Sequence, residues 1–295
     1  MVPRAGIVFL SVLARALAFG GLEVWNDTIG TGHSYEVVAV GMPPYTSLFV
    51  GSIDGFVYSY EATTGSRQWS TQVGGQVVGA PAVTTDAVFV GTYAGRVKRL
   101  NGQTGLQEWV FPAQESSPIG VLHGRTVYDT DHMALYVCSW DGYLYALHAS
   151  DGHELWRFSP SGVHGQSSSR LYSAPALSSD GQTVYASVAD GSVFALETAG
   201  GSEIWRTNLT SRVNQTSEVI VSAAVLSRDG SALFLTCGEE TLKLNATSGA
   251  VLWRAVVTIG VKSYAPPVVS PRGSEVLAAS EAGNLVSLST SDGLP

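Results

Sequence analysis

The 295-residue sequence lacks the features that mark membrane, nucleic-acid-binding and nucleotide-using proteins. It has no run of about 18 apolar residues, so no transmembrane segment is predicted. The formal net charge is −8 and the basic residues form no cluster, which argues against binding to nucleic-acid phosphates. Neither a G-x-S-x-G nucleophile motif nor a phosphate-binding glycine loop occurs. The chain is 45% hydrophobic, which is ample for a folded core.

The sequence does contain a repeat that is marked by tryptophan and glycine. Six tryptophans recur at intervals of 44, 40, 47, 49 and 48 residues, and each follows a glycine by four positions. The tryptophans are Trp25, Trp69, Trp109, Trp156, Trp205 and Trp253. The glycines are Gly21, Gly65, Gly105, Gly152, Gly201 and Gly249. A fixed period of this length is typical of a chain built from one repeated supersecondary unit.

Each unit reads as four short antiparallel strands. Within residues 173–208, the segments SAPAL, TVYASV, SVFAL and SEIWRTN are separated by turn sequences such as Asp-Gly. Four strands repeated every 40–50 residues or so predict an all-β fold, a β-propeller of about six blades. The tryptophan is then expected to fill the gap between neighbouring blades, where its N–H finds a partner. Asp54, Asp141 and Asp190 recur before glycine, which indicates a role in turn geometry.

The segments TTGSRQW, QTGLQEW and TSGAVLW resemble the docking motif of the pyrroloquinoline-quinone-type (PQQ-type) repeat family. This quinoprotein-like repeat forms the blades of quinoprotein alcohol dehydrogenases and of non-enzymatic propellers such as bacterial outer-membrane assembly lipoproteins. The resemblance covers roughly residues 35–293. It implies the propeller fold strongly and an activity only weakly, because many propellers with this motif are not enzymes.

Two ring architectures fit the pattern. In one, the strand at Trp25 completes a sixth blade that begins near residue 263. In the other, the chain is a truncated seven- or eight-bladed ring. Residues 1–18 resemble a signal peptide, with Arg4 before an apolar stretch and an Ala-Leu-Ala cleavage pattern at 16–18. Residues 19–295 are then one propeller domain.

The predicted centre of the ring offers little for chemistry. We place the inner strands in residues 77–83, 116–122, 172–178, 220–226 and 263–269, which are small and apolar. The resemblance implies that a quinoprotein enzyme would need calcium and quinone ligands near these strands, so we expect no cofactor and no catalytic or metal-binding residue. PQQ with calcium belongs to the alternative hypothesis alone.

Two other features of the sequence bear on metal or disulfide chemistry. The segment YDTDH at 128–132 is interpreted as a solvated insertion of about eight residues between the first two strands of its blade. The histidines show no paired spacing of a metal site. Cys138 and Cys237 lie two repeats apart, too far for a disulfide, and are expected to be buried thiols.

Long connections after Trp156 and Trp205 indicate a face for partner binding, because such loops gather at one side of a propeller. Its polar candidates are His164, Arg170, Arg212 and Asn214. Four N-x-S/T motifs predict glycosylation, at Asn26, Asn208, Asn214 and Asn245. Together with the N-terminus they favour a secreted protein or one in the lumen of the secretory pathway.

The main hypothesis is therefore a non-catalytic binding or scaffold propeller that presents one loop face to a protein, peptide or glycan. The first alternative is a partial or degenerate PQQ-dependent oxidoreductase. The second is a propeller module of a larger protein, for instance beside an adenylate-forming enzyme.

Overall fold

The computed structural model describes residues 37–42, 45–114, 117–160, 170–209, 222–256, 265–280 and 283–295. Every regular element in these ranges is a β-strand, so the predicted all-β class is confirmed. The strands form six antiparallel sheets that follow one another along the chain, in agreement with about six blades. We number these sheets as blades 1 to 6. Residues 1–36, including the predicted signal peptide, Gly21 and Trp25, lie outside the described residues.

Blade 1 contains β1 (Val37–Met42), β2 (Tyr45–Gly51), β3 (Phe56–Glu61) and β4 (Arg67–Gln72). Blade 2 contains β5 (Ala82–Val83), β6 (Ala87–Gly91), β7 (Val97–Asn101) and β8 (Gln107–Phe111). Blade 3 contains β9 (Val127–Asp129), β10 (Ala134–Cys138), β11 (Leu144–His148) and β12 (Glu154–Phe158).

Blade 4 contains β13 (Ala176–Leu177), β14 (Thr183–Ser187), β15 (Ser192–Glu197) and β16 (Glu203–Asn208). Blade 5 contains β17 (Val225–Leu226), β18 (Ala232–Cys237), β19 (Glu240–Asn245) and β20 (Val251–Val256). Blade 6 has three strands in the described residues, β21 (Val268–Val269), β22 (Glu275–Ala279) and β23 (Leu285–Ser289).

The core lies between successive blades. Strands β6, β10 and β18 are buried along their whole length, because both faces of a middle strand meet a neighbouring sheet. One apolar cluster joins Tyr136 and Leu144 of blade 3 to Val184 and Phe194 of blade 4. Similar clusters join blades 1 and 2, 2 and 3, 4 and 5, and 5 and 6. A single blade could not bury both of its faces, so the repeat requires neighbours.

A β-bulge sets the direction of the tryptophan in each of the first five blades. In blade 3, Trp156 pairs with Ala146 while Glu154 pairs with Leu147, so Leu155 is the extra residue. The other four blades shift register at the corresponding place. A bulge re-aims the side chain that follows it. Leu155 is accordingly 42% exposed, and the indole beside it turns towards the next blade.

The inner strand of blade 3 corrects the sequence interpretation. We expected it within residues 116–122, but it is Val127–Asp129, and four residues separate it from β10 instead of an insertion of about eight. The apolar residues before it cross from blade 2, as in the preceding repeat. Leu122 N donates to Thr92 O at 3.3 Å, as Val77 N donates to Ser52 O at 3.0 Å. Leu122 is buried in this crossing, which explains why the segment resembled a strand.

Candidate functional site

Each of five tryptophans donates a hydrogen bond from its indole to a turn of the next blade. The donor–acceptor distances lie between 2.8 and 3.2 Å. The pairs are Trp69 Nε1 to Gly102 O, Trp109 Nε1 to Ala149 O, Trp156 Nε1 to Thr198 O, Trp205 Nε1 to Ala246 O and Trp253 Nε1 to Thr290 O. We call the accepting turns docking turns; they follow the third strand of blades 2 to 6, and we give the same name to the equivalent turn of blade 1. These indoles join one blade to the next, and they are engaged in that structural contact.

The glycine of each docking turn lies under the tryptophan of the preceding blade. Gly152, with φ +74°, would place an added Cβ 2.6 Å from Cε3 of Trp109. Gly105, Gly201, Gly249 and Gly293 make the same approach to Trp69, Trp156, Trp205 and Trp253. Gly65 has the same conformation at φ +71°. The glycines four residues before Trp109, Trp156, Trp205 and Trp253 therefore serve the contact with the blade before them.

The opposite end of the blades carries a cluster of half-buried aromatic side chains. Because β10 and β11 are antiparallel, the turn 139–143 lies at the other end of blade 3 from its docking turn. The connections that enter blades 3 and 4 meet these turns: Ile119 N donates to Gly95 O at 3.1 Å and Leu171 N to Ser139 O at 3.3 Å. We call this end the loop face. It is formed in blades 2 to 4 by turns 92–96 and 139–143 and by connections 117–123 and 170–173.

Trp140, the one tryptophan outside the sequence repeat, is the centre of this cluster. Its ring lies 4.9 Å from that of Tyr172 and 6.0 Å from the parallel imidazole of His123, measured between centroids. Tyr93 lies 5.9 Å away. The guanidinium of Arg170 lies 5.3 Å over the indole and donates to Tyr172 Oη at 3.2 Å. We name these five residues the aromatic patch.

The repeat explains why the aromatic patch assembles. Tyr93 N donates to Gln76 O, Trp140 N to Val121 O and Ala189 N to Arg170 O. Tyr93, Trp140 and Ala189 therefore occupy one equivalent position in blades 2, 3 and 4. This position follows the buried strand end and faces the entering connection, and it is aromatic in blades 2 and 3. Two large rings in adjacent blades then converge, and the connections add His123 and Tyr172 between them.

The indole N–H of Trp140 is buried and has no hydrogen-bond partner among the described residues. This is unlike the five docking indoles, which all have an acceptor.

Asp141, the next residue, accepts hydrogen bonds that stabilise the fold. Its Oδ1 accepts from Tyr143 N at 3.1 Å, and its Oδ2 accepts from Tyr145 Oη at 2.8 Å and Gly120 N at 3.2 Å. Burial and this carboxylate raise the pKa of Tyr145.

The other recurring aspartates also act in turns. Asp54 Oδ1 accepts from Phe56 N at 3.0 Å and Asp190 Oδ1 from Ser192 N at 2.8 Å. In the YDTDH segment, Asp129 is 2% exposed, and both of its oxygens are used. Oδ1 accepts from the backbone of Asp131 and His132, and Oδ2 contacts His132 Nδ1 at 2.8 Å and Tyr136 Oη at 3.4 Å. This arrangement closes a loop.

The predicted partner and glycosylation residues are placed in part. Arg170 belongs to the aromatic patch, whereas His164, Arg212 and Asn214 lie outside the described residues, as does Asn26. Asn208 is exposed at the end of β16. The side chain of Asn245 caps a docking turn, since its Oδ1 accepts from Thr247 N at 3.0 Å and Ser248 N at 2.9 Å. Asn101 does the same in blade 2 without a glycosylation motif.

Two histidines lie close together in the structure, and both cysteines are buried. Sequence analysis found no paired histidines, but His148 and His153 meet on the docking turn of blade 3, with ring centroids 4.9 Å apart. Cys138 and Cys237 are both free and buried, as expected. Burial raises the pKa of the Cys237 thiol to about 11 and that of the Cys138 thiol as well, so neither thiol is a nucleophile at neutral pH.

The described inner strands do not fit the donor set of a calcium–quinone centre. Calcium takes six to eight oxygen ligands or so, mostly from carboxylates, carbonyls and water. Among the described residues of β1, β5, β9, β13, β17 and β21, the only carboxylate is Asp129, whose oxygens are engaged as above. The remaining side chains of the described inner strands are almost all apolar.

Six antiparallel sheets joined by indole-to-turn contacts define a β-propeller of the PQQ-type repeat. A family model described as outer membrane protein assembly factor BamB (PQQ_2) matches residues 11–156 and 140–294, and the chain belongs to this family. The resemblance stated from the sequence is thereby confirmed.

The curated relatives carry the same description. BamB of Shewanella oneidensis is 26% identical over 118 residues, which is 39% of this chain and 29% of the relative. BamB of Burkholderia pseudomallei is 28% identical over 140 residues, 46% of this chain and 33% of the relative. BamB of Yersinia pestis is 26% identical over 144 residues, 46% of this chain and 36% of the relative. The matches thus span about a third of the length of these relatives.

Solved structures show the same fold. The crystal structure of BamB from Moraxella catarrhalis has a TM-score of 0.67 at 17% identity, covering 89% of this chain and 77% of that one. A computationally designed protein, Ika8, gives 0.69 at 15% identity, covering 92% and 76%. Within the described part of the chain, no helix has the length and apolarity to cross a membrane.

Proposed function

We propose that this chain is a non-catalytic scaffold propeller whose loop face binds a protein partner through the aromatic patch. The observation that carries the proposal is Trp140, which has a half-buried indole surrounded by three rings and a guanidinium. Tryptophan, tyrosine and arginine are the residues that most often dominate the binding energy of protein interfaces. Two of these rings, Tyr93 and Trp140, replace the alanine of blade 4 at an equivalent backbone position, so the fold itself does not require them.

The relatives support a protein partner. Their shared name, outer membrane protein assembly factor, describes work on other proteins. We extend this to an extracytoplasmic role in protein assembly for the present chain. The names of the relatives support a location outside the cytoplasm. They give no support to the lumen of the secretory pathway, to glycosylation or to a glycan ligand. Since the matches cover about a third of each relative, the transfer of role is itself a proposal.

The enzymatic alternative is weaker on chemical grounds. A quinone-dependent oxidoreductase would require calcium ligands near the centre of the ring, and the described inner strands carry one carboxylate that is already engaged. We therefore propose that the protein works without PQQ. A role as a module beside an adenylate-forming enzyme stays a hypothesis from the sequence resemblance.

Photo-crosslinking in cells that naturally make the protein tests the proposed interface. Benzoylphenylalanine in place of Tyr93 should give a covalent product of one defined mass with a partner protein. The matched control is the same probe in place of Leu106, which is 69% exposed on the docking turn of blade 2, at the opposite end of the blades. Mass spectrometry of the purified product identifies the partner.

A second variant separates interface loss from misfolding. Trp140→Ala in the Tyr93 probe protein should abolish the product, whereas Trp140→Phe should retain most of it, because a ring remains. Urea unfolding of both variants checks that the propeller is intact. Equal crosslinking from position 106, or a yield that does not change with Trp140→Ala, would show that the aromatic patch is not the binding surface.

A further inference from the structure

We propose that His148, Asp151 and His153 form a binding site for a divalent transition-metal ion on the docking turn of blade 3. One ligand atom from each residue lies within 4.8 Å of the others. His153 Nδ1 is 2.7 Å and His148 Nδ1 is 3.2 Å from the same oxygen, Asp151 Oδ1. In a tetrahedral zinc site with Zn–N bonds of about 2.0–2.1 Å, neighbouring donor atoms are about 3.3 Å apart. Small side-chain rotations would therefore open this cluster around an ion.

The backbone that carries these side chains is held firmly. His148 N donates to His153 O and Gly152 N to His148 O, both at 2.8 Å, which closes the turn. Trp109 Nε1 donates to Ala149 O at 3.1 Å, and the Trp109 ring lies against Gly152. The two imidazoles are stacked at an interplanar angle of 27°. A metal ion would meet ligands whose main chain is already ordered, which reduces the entropic cost of binding.

The other blades show that the turn does not need histidine. The first and last residues of the equivalent docking turns are Glu61 and Ser66, Asn101 and Leu106, Glu197 and Ser202, Asn245 and Ala250, and Ser289 and Leu294. In each of them the first residue donates its backbone N–H to the carbonyl of the last, at distances of 2.7–2.9 Å. The same backbone thus forms with carboxylate, amide or hydroxyl side chains. Two imidazoles and a carboxylate occur together in blade 3 alone among the described docking turns.

The donor set selects the class of ion. Imidazole nitrogen suits zinc, copper and nickel, whereas calcium and magnesium prefer oxygen ligands. Three protein ligands leave at least one position for water or for a group from another molecule. Asp151 is exposed, and an aspartate carboxyl in water is ionised at neutral pH, so it supplies an anionic oxygen ligand.

The surrounding groups permit a cation here. Ser150 Oγ contacts His148 Nδ1 at 2.8 Å and would exchange that contact for the metal. One cationic group, Arg99, donates from its guanidinium to Ser150 O at 3.2 Å. Its guanidinium is held by Asp86 and Glu108, each at 2.8 Å, so its charge is largely balanced.

Titration of the purified full chain with zinc chloride tests the proposal. Isothermal titration calorimetry should show a site that Asp151→Asn and His153→Gln each weaken by about 10-fold or more, because each removes a ligand. His132→Gln is the matched control, since His132 also contacts an aspartate at 2.8 Å but belongs to no three-ligand cluster within the described part of the chain. Zinc should also shift the imidazole NMR signals of His148 and His153. Unchanged affinity in both ligand variants, or an equal loss in His132→Gln, overturns the site.

Transplantation gives an independent arm. The docking turn of blade 6 already has Asp292 at the position of Asp151, with Ser289 and Leu294 at the histidine positions. The double substitution Ser289→His and Leu294→His, made in the Asp151→Asn background, should restore zinc binding to within about 10-fold of the natural chain. Failure to restore it in a folded variant would show that this turn geometry does not create a metal site.

Discussion

At the scale of single residues, the glycine of a docking turn serves two constraints at once. Gly201 has φ +71°, a left-handed conformation that costs other residues about 1–2 kcal/mol. It also lies so close to the preceding blade that an added Cβ would sit 2.6 Å from Cε3 of Trp156. The neighbouring Gly200 meets neither constraint, because nothing lies within 4 Å of its Cβ position. Substituting these two adjacent glycines separately therefore distinguishes the two constraints from a general sensitivity of the turn.

We expect Gly201→Ala to lower the free energy of unfolding by about 2 kcal/mol or more, because backbone strain and overlap with Trp156 add together. Gly200→Ala should change it by less than about 0.5 kcal/mol. Urea unfolding followed by tryptophan fluorescence measures both. A loss in Gly200→Ala as large as that in Gly201→Ala would mean that the turn is sensitive as a whole and that the indole contact is not the cause.

At the scale of elements, the Asp-Gly turns between the second and third strands differ in how many hydrogen bonds their aspartate accepts. Asp190 accepts one hydrogen bond, from Ser192 N at 2.8 Å. Asp141 accepts from Tyr143 N, Tyr145 Oη and Gly120 N, so it joins its own turn to β11 and to the connection from blade 2. The same two-residue signature in the sequence thus supports one contact in blade 4 and three in blade 3.

Asp141→Ala should therefore lower the free energy of unfolding by about 2–3 kcal/mol, and Asp190→Ala by about 1 kcal/mol. The larger loss comes from the Tyr145 hydroxyl and the Gly120 N–H, which are left without an acceptor. The double variant Asp141→Ala with Tyr145→Phe should lose less than the two single losses summed, as in a double-mutant cycle. Strict additivity in urea unfolding would contradict a direct coupling of these side chains.

Element by element, the sequence predicted what depends on local pattern. The alternating strands, the Asp-Gly turns and the indole spacing follow from residues close together in the chain, and they led to the propeller and its family. The inner strand of blade 3 was misplaced because Ile119 and Leu122 are apolar for another reason, the crossing between blades. Short apolar runs do not distinguish the two roles.

Apart from Arg170, the sequence predicted neither the aromatic patch nor the pair of His148 and His153, and the physical reasons differ. Trp140 does not belong to the tryptophan period, so the period assigns it no role, although its place before Asp-Gly, matched by Tyr93 before Ala-Gly, is visible in the sequence. His148 and His153 are five residues apart, and they meet because Gly152 at φ +74° closes the turn between them. Spacing rules for helices and zinc fingers do not describe this geometry. Comparing equivalent turns across the repeats would have found both.

At the scale of the whole molecule, tyrosines in and around the inter-blade core make stability depend on alkaline pH. The pKa of Tyr58 is raised to about 12, mainly by burial and then by its hydrogen bond to Asp54. Burial is also the main cause of raised pKa values for Tyr136, Tyr145 and Tyr185. These residues belong to blades 1, 3 and 4, so the effect does not belong to one sheet.

The direction of this pH dependence follows from the linkage between proton binding and folding. An unfolded tyrosine loses its proton near pH 10, whereas these folded tyrosines keep theirs, so the unfolded chain binds fewer protons above pH 10. Their contribution to stability is fully present below pH 10 and is lost as the pH rises towards 12.

We expect the urea midpoint to fall steadily between pH 9.5 and 11.5 or so, and tyrosinate absorbance at 295 nm to appear together with unfolding. The double variant Tyr58→Phe with Tyr145→Phe should make the urea midpoint fall less steeply with pH, because it removes two of the hydroxyl groups whose pKa is raised. A midpoint that is constant over this range would show that the tyrosines titrate freely in the folded protein, and that the blades do not exclude water from them.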